Sequence, residues 1–129
     1  MKELNKNEFY IAVDAVVFTI IHNELKLLLI RRKNPPFKGM FALPGGFVNI
    51  DEDIEDAAKR ELEEETNVKN IFLKKLTAYG NPKRDPRGRI ISVAFMAIID
   101  AKSQTLMAHP EHDALKAEWV DIDDVKELA

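Results

Sequence analysis

The feature that most constrains this chain is a short, strongly acidic segment near its centre. Residues 51–66 contain nine aspartate or glutamate residues and two lysine or arginine residues, so the segment has a net charge of −7. The whole chain has a formal charge of −3, which leaves +4 for the remainder. Acidic runs of this kind are usually solvated or disordered. The spacing of the apolar residues decides how this one is interpreted.

That spacing predicts an amphipathic helix over residues 54–66, with Asp53 as its N-cap. At about 100° per residue, Ile54, Ala58 and Leu62 form an apolar side, and Glu55, Asp56, Lys59 and Glu63 form the opposite, solvated side. Glu61 and Glu65 nevertheless share the apolar side, and Glu64 lies on its flank. Partial burial of three carboxylates is costly unless a positive charge compensates them. Clustered carboxylate oxygens suit a hard cation such as Mg²⁺ or Mn²⁺, so the pattern indicates a metal site.

The same residues resemble the signature of the Nudix hydrolases, G-x5-E-x7-R-E-U-x-E-E-x-G-U, in which U is a bulky aliphatic residue. The positions that match in register are Gly46, Glu52, Arg60, Glu61, Leu62, Glu64, Glu65 and Val68. Asn67 replaces the last glycine, and asparagine is the next most suitable residue for a left-handed conformation after a helix. The resemblance extends over residues 13–120. It implies an α/β fold of the Nudix type, an α/β/α sandwich with a central mixed sheet and a loop–helix–loop catalytic motif.

The whole chain is compatible with one soluble domain spanning residues 1–129. It contains no cysteine, which excludes a disulfide scaffold and is consistent with a cytoplasmic location. The first ten residues lack an apolar signal core, and no apolar run is long enough for a membrane span. The net charge gives no overall basic surface for nucleic acid. We therefore expect a small-molecule partner, with neither nucleic acid nor membrane, and the hydrophobic strands allow a homodimer.

Apolar runs and turn residues predict the remaining elements. The predicted strands cover residues 11–21, 25–30, 41–43, 71–80, 89–100 and 117–122, with Trp119 as a core residue of the last one. Gly45 and Gly46 are expected in a turn. Polar loops are expected at residues 81–88 and 108–115, and a helix that stops early is expected from residue 123.

The resemblance implies hydrolysis of a nucleoside diphosphate linked to another group, assisted by Mg²⁺ or Mn²⁺. The implied metal ligands are Glu61, Glu64, Glu65 and the carbonyl of Gly46. Arg60 is expected to orient the carboxylates through Glu52, although Glu52 could instead reach the metal. The competing interpretation of these glutamates is a surface ion-pair ladder with Lys59 and Arg60.

The general base has two candidates, Glu64 in the motif and Glu111 in the loop at residues 108–115. A solvated loop is the simpler interpretation of Glu111. His109 and His112 are interpreted as loop residues, because the sequence shows no third ligand near them.

Substrate selection is expected to come from arginines outside the motif. Arg31 and Arg32 end a strand near the glycines and could bind the diphosphate, and alternation along a strand allows only one of them to do so. The segment that carries Arg84, Arg87 and Arg89 resembles a loop of ADP-ribose pyrophosphatases and of Nudix-derived regulators of NAD metabolism. Phe37, Phe41 or Tyr79 could stack on adenine. The resulting hypothesis is hydrolysis of ADP-ribose to AMP and ribose 5-phosphate. The alternatives are house-cleaning of oxidised nucleoside triphosphates and non-catalytic sensing of ADP-ribose.

Overall fold

The fold is built on a seven-stranded mixed β-sheet with one α-helix against it, in a computed structural model that describes residues 7–35, 37–112 and 114–129. The strands are β1 (Tyr10–Ile21), β2 (Glu24–Arg32), β3 (Phe41–Ala42), β4 (Gly45–Phe47), β5 (Lys74–Tyr79), β6 (Ile90–Ile98) and β7 (Ala114–Asp121). The helix, α1, spans Ile54–Thr66, as the sequence predicts. Short 3₁₀ turns cover Ala101–Ser103, Pro110–His112 and Ile122–Asp124.

The central strand β1 has different partners along its two edges. One edge pairs in parallel with β6, from Tyr10 opposite Ile90 to Phe18 opposite Ile98. The other edge pairs antiparallel with β2 through residues 18–21 and with β4 through residues 12–14. The sheet is extended by β7 and β3 on the β2 side and by β5 on the β6 side. This division of β1 between β2 and β4 brings the glycines of β4 into the middle of the fold.

The two faces of the sheet are covered differently. On one face, alternate β1 residues (Val13, Ala15 and Val17) pack against α1 in the main core, which also contains Ala57, Ala58, Leu62 and Phe95. The small Ala57 and Ala58 let the helix approach the sheet closely. The opposite face has a smaller cluster around Leu27, Leu29 and Val120, against which Val125 and Leu128 pack. The mixed sheet and α1 confirm the predicted α/β class, and Trp119 packs against the main core.

Several predicted boundaries are wrong, for identifiable reasons. Gly45 and Gly46 lie in a strand instead of a turn, because their backbone pairs with β1. The last strand begins at Ala114, not residue 117, since pairing with β2 continues past a bulge to Arg32. The strand predicted over residues 71–80 is shorter, starting at Lys74.

The helix expected from residue 123 is reduced to one 3₁₀ turn. Asp121 accepts a hydrogen bond from the Asp123 backbone N–H at 3.1 Å, and the chain becomes extended at Val125. The backbone N–H of Ala129 then bonds to the carbonyl of Phe41 at 2.8 Å. So short a segment cannot sustain a helix without a packed face, and sheet contacts stabilise the extended form. Among the described residues, no helix combines the length and hydropathy that crossing a bilayer requires.

Candidate active site

Helix α1 is held at both ends as the sequence predicts. The Asp53 side chain accepts from the Glu55 backbone N–H at 3.1 Å, and Asn67 adopts a left-handed conformation with φ 67°. With the phase of the helix fixed in this way, Glu61 turns toward the sheet and Glu65 is only 4% exposed. The acids assigned to the solvated side are exposed, as predicted; these are Glu55, Asp56 and Glu63.

Arg60 makes five hydrogen bonds, and four of them hold the carboxylates together. Its guanidinium binds Glu52 through two nitrogens, at 2.7 and 2.9 Å. A third nitrogen donates to Glu61 at 2.7 Å and to Glu64 at 3.2 Å. The second nitrogen bound to Glu52 also donates to the Phe47 carbonyl at 3.0 Å. Bidentate and charge-assisted bonds of this kind are strong and directional, so the geometry favours Glu52 as the partner that orients Arg60.

The electrostatics of the cluster are uneven. Hydrogen bonds from Arg60 lower the pKa of Glu52, and those same bonds raise the pKa of Arg60, so this pair stays ionised. Burial raises the pKa of Glu61, and the hydrogen bond from Arg60 offsets only part of that effect. Glu61 is therefore a carboxylate whose negative charge is incompletely compensated by the protein.

The two glycines of β4 lie directly against the cluster. The Gly45 backbone N–H donates to Glu65 at 2.7 Å. A Cβ atom at Gly46 would lie 2.6 Å from the carboxyl carbon of Glu61, so any side chain there would displace the Glu61 carboxylate. Glycine at this position lets the backbone lie beside the predicted ligands.

The oxygen donors of this cluster fit a hard divalent cation. The predicted ligands are Glu61, Glu64, Glu65 and the Gly46 carbonyl. In the part of the chain that the structure describes, no three His, Cys, Asp or Glu side chains are arranged to hold an ion. The Arg60 guanidinium donates to both Glu61 and Glu64. A bound cation would most strongly stabilise Glu61, because the negative charge of this carboxylate is only partly compensated by the protein.

A cleft of about 550 Å³ opens beside the cluster and includes both candidates for the general base, Glu64 and Glu111. Glu111 lies on the 3₁₀ turn across the cleft, with 64% of its side chain exposed. His112, interpreted from the sequence as a loop residue, has its Nδ1 atom 3.7 Å from Glu64. His109 lies beside Glu111, at 3.6 Å. The fold thus brings the turn that carries His109 and His112 next to Glu64 of α1. Sequence spacing could not reveal this placement.

The predicted substrate arginines lie in two places. Arg31 stacks on the Phe41 ring at 4.0 Å and donates to the Gly39 carbonyl at 3.1 Å. Arg32 donates to the Asn34 carbonyl at 3.4 Å. The structure therefore shows Arg31 held on an aromatic ring at the β2–β3 end of the sheet.

The other arginines belong to the loop between β5 and β6. Arg84 donates to the Ile90 carbonyl at 3.2 Å. Arg87 binds Asp85 through two nitrogens, at 3.0 and 2.8 Å, and lies over the Phe47 ring at 5.4 Å. Arg89 donates to the Gly80 carbonyl at 2.8 Å. Since the Phe47 carbonyl also accepts from Arg60, this loop is linked to the carboxylate cluster through one residue.

One half-buried acid near that loop was not among the predicted site residues. Asp14 lies on β1, and the Ser92 hydroxyl donates to it. The signal that could have identified it is a charged residue inside the apolar run of residues 11–21, which breaks the strand pattern.

Comparisons with known proteins identify relatives that cover most of this chain. The chain is 43% identical over 128 residues to the ADP-ribose pyrophosphatase of Methanocaldococcus jannaschii, covering 99% of this chain and 73% of that protein. It is also 38% identical over 119 residues to the ADPR responsive transcriptional repressor NtrR of Acinetobacter baylyi, covering 90% of this chain and 46% of the repressor.

Solved structures give the same fold. The NUDIX domain of Shewanella oneidensis NrtR in complex with ADP ribose superposes with a TM-score of 0.86 at 33% identity, covering 95% of this chain and 80% of that one. A bifunctional NMN adenylyltransferase/ADP ribose pyrophosphatase from Francisella tularensis, complexed with AMP and a Mn ion, gives a TM-score of 0.74 at 33% identity. That match covers 89% of this chain and 34% of the other.

The family assignment follows from the extent of these matches. A family model described as NUDIX domain matches residues 11–129, almost the whole chain. The match includes the helix, both glycines of β4 and the arginine loop between β5 and β6. The chain therefore belongs to the NUDIX domain family and is a Nudix pyrophosphohydrolase.

Proposed function

We propose that the protein hydrolyses ADP-ribose to AMP and ribose 5-phosphate with Mg²⁺ or Mn²⁺ as cofactor. The observation that carries this proposal is the carboxylate cluster that Arg60 gathers beside an open cleft. The substrate is supported by the 43% identical relative named ADP-ribose pyrophosphatase and by the similar NUDIX domain solved with ADP ribose. The metal is supported by the oxygen donor set and by the Mn ion in a similar structure.

In the proposed reaction, water attacks one phosphorus of the diphosphate and the bond from that phosphorus to the bridging oxygen breaks. The bridging oxygen leaves with the other phosphate, and the proton of the attacking water passes to a base on the protein. A bound divalent cation would neutralise the diphosphate and make water a better nucleophile. The chain itself supplies the base, the orientation of the carboxylates and the binding of both ends of the substrate.

Glu64 is the better supported of the two bases. It lines the cleft, and its carboxylate is fixed by Arg60 at 3.2 Å. Glu111 faces it from the 3₁₀ turn, but that side chain is mostly exposed. A base must come within hydrogen-bond reach of the attacking water, and an oriented side chain meets this condition with less loss of entropy. If Glu64 instead serves only as a metal ligand, Glu111 is the remaining candidate.

The cations of the β5–β6 loop are proposed to bind the phosphate that does not react. Arg84 and Arg87 lie on one loop, and Arg87 contacts the Phe47 ring. The Phe47 carbonyl accepts a hydrogen bond from Arg60. Guanidinium groups match phosphate oxygens in geometry as well as in charge. Arg31 is proposed to contact the adenosine part of the substrate, since it is already stacked on Phe41.

A second candidate function is sensing, in which ADP-ribose binds without being hydrolysed. It is favoured by the 38% identity to an ADPR responsive repressor. Sensing requires a binding site but no base, whereas the present chain retains all three motif glutamates of α1. We therefore rank hydrolysis first.

The two functions are separated by one assay series. ADP-ribose and a panel of nucleoside triphosphates, including oxidised ones, are incubated with the protein in Mg²⁺, in Mn²⁺ and in chelator, and the products are resolved by chromatography. We expect metal-dependent release of AMP from ADP-ribose and little turnover of the triphosphates. Tight binding of ADP-ribose with no turnover in either metal would select sensing, and preferential turnover of oxidised triphosphates would select house-cleaning.

A further inference from the structure

The two glycines of β4 have a carboxylate close by on each side of the strand. A Cβ atom at Gly46 would lie 2.6 Å from the Glu61 carboxyl carbon. One at Gly45 would lie 2.1 Å from the Val13 carbonyl oxygen and 2.8 Å from Oδ1 of Asp14. Successive residues of a strand face opposite sides of the sheet. Glu61 therefore lies on the α1 side of β4, and Asp14 lies on the other side, one strand away. The mechanism described above uses Glu61 and gives no role to Asp14.

Asp14 has few hydrogen-bond donors for its carboxylate oxygens. Its neighbour in the register of β6 is Ala94, and the next residue on the same face of β1 is Val16. In the described part of the chain, one hydrogen bond reaches its carboxylate, from the buried hydroxyl of Ser92. An ionised carboxylate can accept about four. Burial accordingly raises the pKa of Asp14.

The cations that stabilise the negative charge of Asp14 make their hydrogen bonds to other groups. Arg84 and Arg87 attract its charge, and Asp85 opposes them. Arg84 donates to the Ile90 carbonyl, and Arg87 is paired with Asp85. The arginine loop therefore borders the Asp14 carboxylate without saturating its oxygens. The result is an acceptor held at the base of a cationic loop, a combination suited to a ligand that carries both hydroxyl donors and phosphate.

We propose that Asp14 and Ser92 form a hydroxyl-binding subsite for a ribose of the substrate. This inference rests on the proposed function, because ADP-ribose has a vicinal pair of hydroxyls on each side of its diphosphate. Two neighbouring hydroxyls can donate to the free acceptor positions of Asp14, while Arg84 and Arg87 bind the adjoining phosphate. Ser92 keeps the carboxylate in place. A buried acceptor left without its donor rejects ligands that lack the hydroxyl, so Asp14 is a specificity-determining residue.

A purely structural role accounts for Asp14 less well. A buried polar pair is often no more stabilising than apolar residues of similar volume. The neighbouring positions Val16 and Ala94 are apolar already, so a further apolar residue would complete this face. Asp14 breaks that pattern beside Gly45 of β4, which is the kind of local conflict expected at a site.

The test is equilibrium binding measured by calorimetry in chelator, so that no turnover occurs. The ligands are ADP-ribose, the analogue with a 2-deoxy terminal ribose and the analogue with a 2′-deoxyadenosine. The proteins are the wild type, Asp14→Asn, Ser92→Ala and the control Asp56→Asn, which removes the same charge from an exposed position on α1. We expect wild type to prefer ADP-ribose over one of the two analogues by about tenfold, the order of a charged hydrogen bond.

In Asp14→Asn we expect about tenfold weaker binding of ADP-ribose. Binding of the deoxy analogue that the wild type binds less tightly should not change. The analogue that wild type rejects identifies the ribose concerned. Ser92→Ala should reduce the preference by a smaller factor, and it keeps the test available if Asp14→Asn does not fold. Equal binding of all three ligands by wild type, or equal weakening of all three in Asp14→Asn, would overturn the subsite. Failure of the proposed hydrolysis would be seen separately, as no release of AMP from ADP-ribose in the presence of Mg²⁺ or Mn²⁺.

Discussion

The two sides of β4 show two ways of keeping a carboxylate inside a small protein. On the α1 side, Glu52, Glu61 and Glu64 are held by Arg60, which makes five hydrogen bonds in all. On the opposite side, Asp14 receives one hydrogen bond in the described part of the chain, and its neighbouring cations are paired with other groups. The first cluster is preorganised by its own arginine, and the second is left for a ligand to complete. The motif residues therefore supply the chemistry of hydrolysis. Asp14, on the opposite side of β4, is the residue we expect to contribute to substrate selectivity.

The largest effect is expected from Glu64→Gln, on the preorganised side. The amide oxygen can still accept from Arg60, so we expect the free energy of unfolding to change by less than about 1 kcal/mol. The turnover number for ADP-ribose should fall about 100-fold or more, because both a base and a metal ligand require the carboxylate. The matched control is Glu55→Gln, on the solvated side of the same helix. Full turnover in Glu64→Gln would remove Glu64 from the reaction and shift attention to Glu111.

The preorganised side is also the side that sequence could predict. Its residues lie within one amphipathic segment, where helical phase fixes which acids face inward. Asp53 and Asn67 determine the ends of α1, and both adopt the expected conformations. Glu52 lies close enough in sequence for Arg60 to bond it across the N-terminus of the helix. Helical phase therefore gives the inward-facing glutamates of this cluster, and the family resemblance adds Arg60 and Glu52.

The other side depends on contacts between distant parts of the chain. Asp14 meets Ser92 only because β1 and β6 pair in parallel in one particular register. The approach of Asp14 to Gly45 depends on β4 pairing with the same strand, which is also why those glycines form a strand instead of the predicted turn. His112 reaches Glu64 through the turn that precedes β7. None of these pairings has a signature in local spacing, so the sequence could indicate the unusual acid but not its neighbours.

An intermediate effect is expected when both loop arginines are replaced, in Arg84→Gln/Arg87→Gln. We expect KM for ADP-ribose to rise about tenfold while kcat changes little, because the phosphate contact is made in the ground state as well as in the transition state. The control is Lys74→Gln/Lys75→Gln, which removes two exposed positive charges from the edge strand β5. Equal increases in KM for the two double variants would indicate general electrostatic attraction instead of a specific contact.

The smallest effect tests the charge on the ligand side of β4 without any substrate. Burial raises the pKa of Asp14 above its ordinary value of 3.8. A carboxyl whose pKa is higher in the folded protein binds protons more readily there, so folding stability falls as pH rises from 3.8 through the folded-state pKa. Asp14→Asn removes this loss. We therefore expect the variant to gain stability relative to wild type over that pH range, seen as a higher Tm, and to keep the gain at neutral pH.

Thermal unfolding of both proteins between pH 3 and pH 8 measures this difference, with Asp56→Asn as the control for loss of an exposed carboxylate. An Asp14→Asn variant that is more stable but binds ADP-ribose less well would show that this acid is retained at a cost to the fold. A variant that is less stable than wild type at every pH would instead mean that Asp14 is satisfied by Ser92 and the loop arginines. In that case the protein itself would compensate the charge of Asp14, as Arg60 does for the glutamates on the other side of β4. The contrast between the two sides would then disappear.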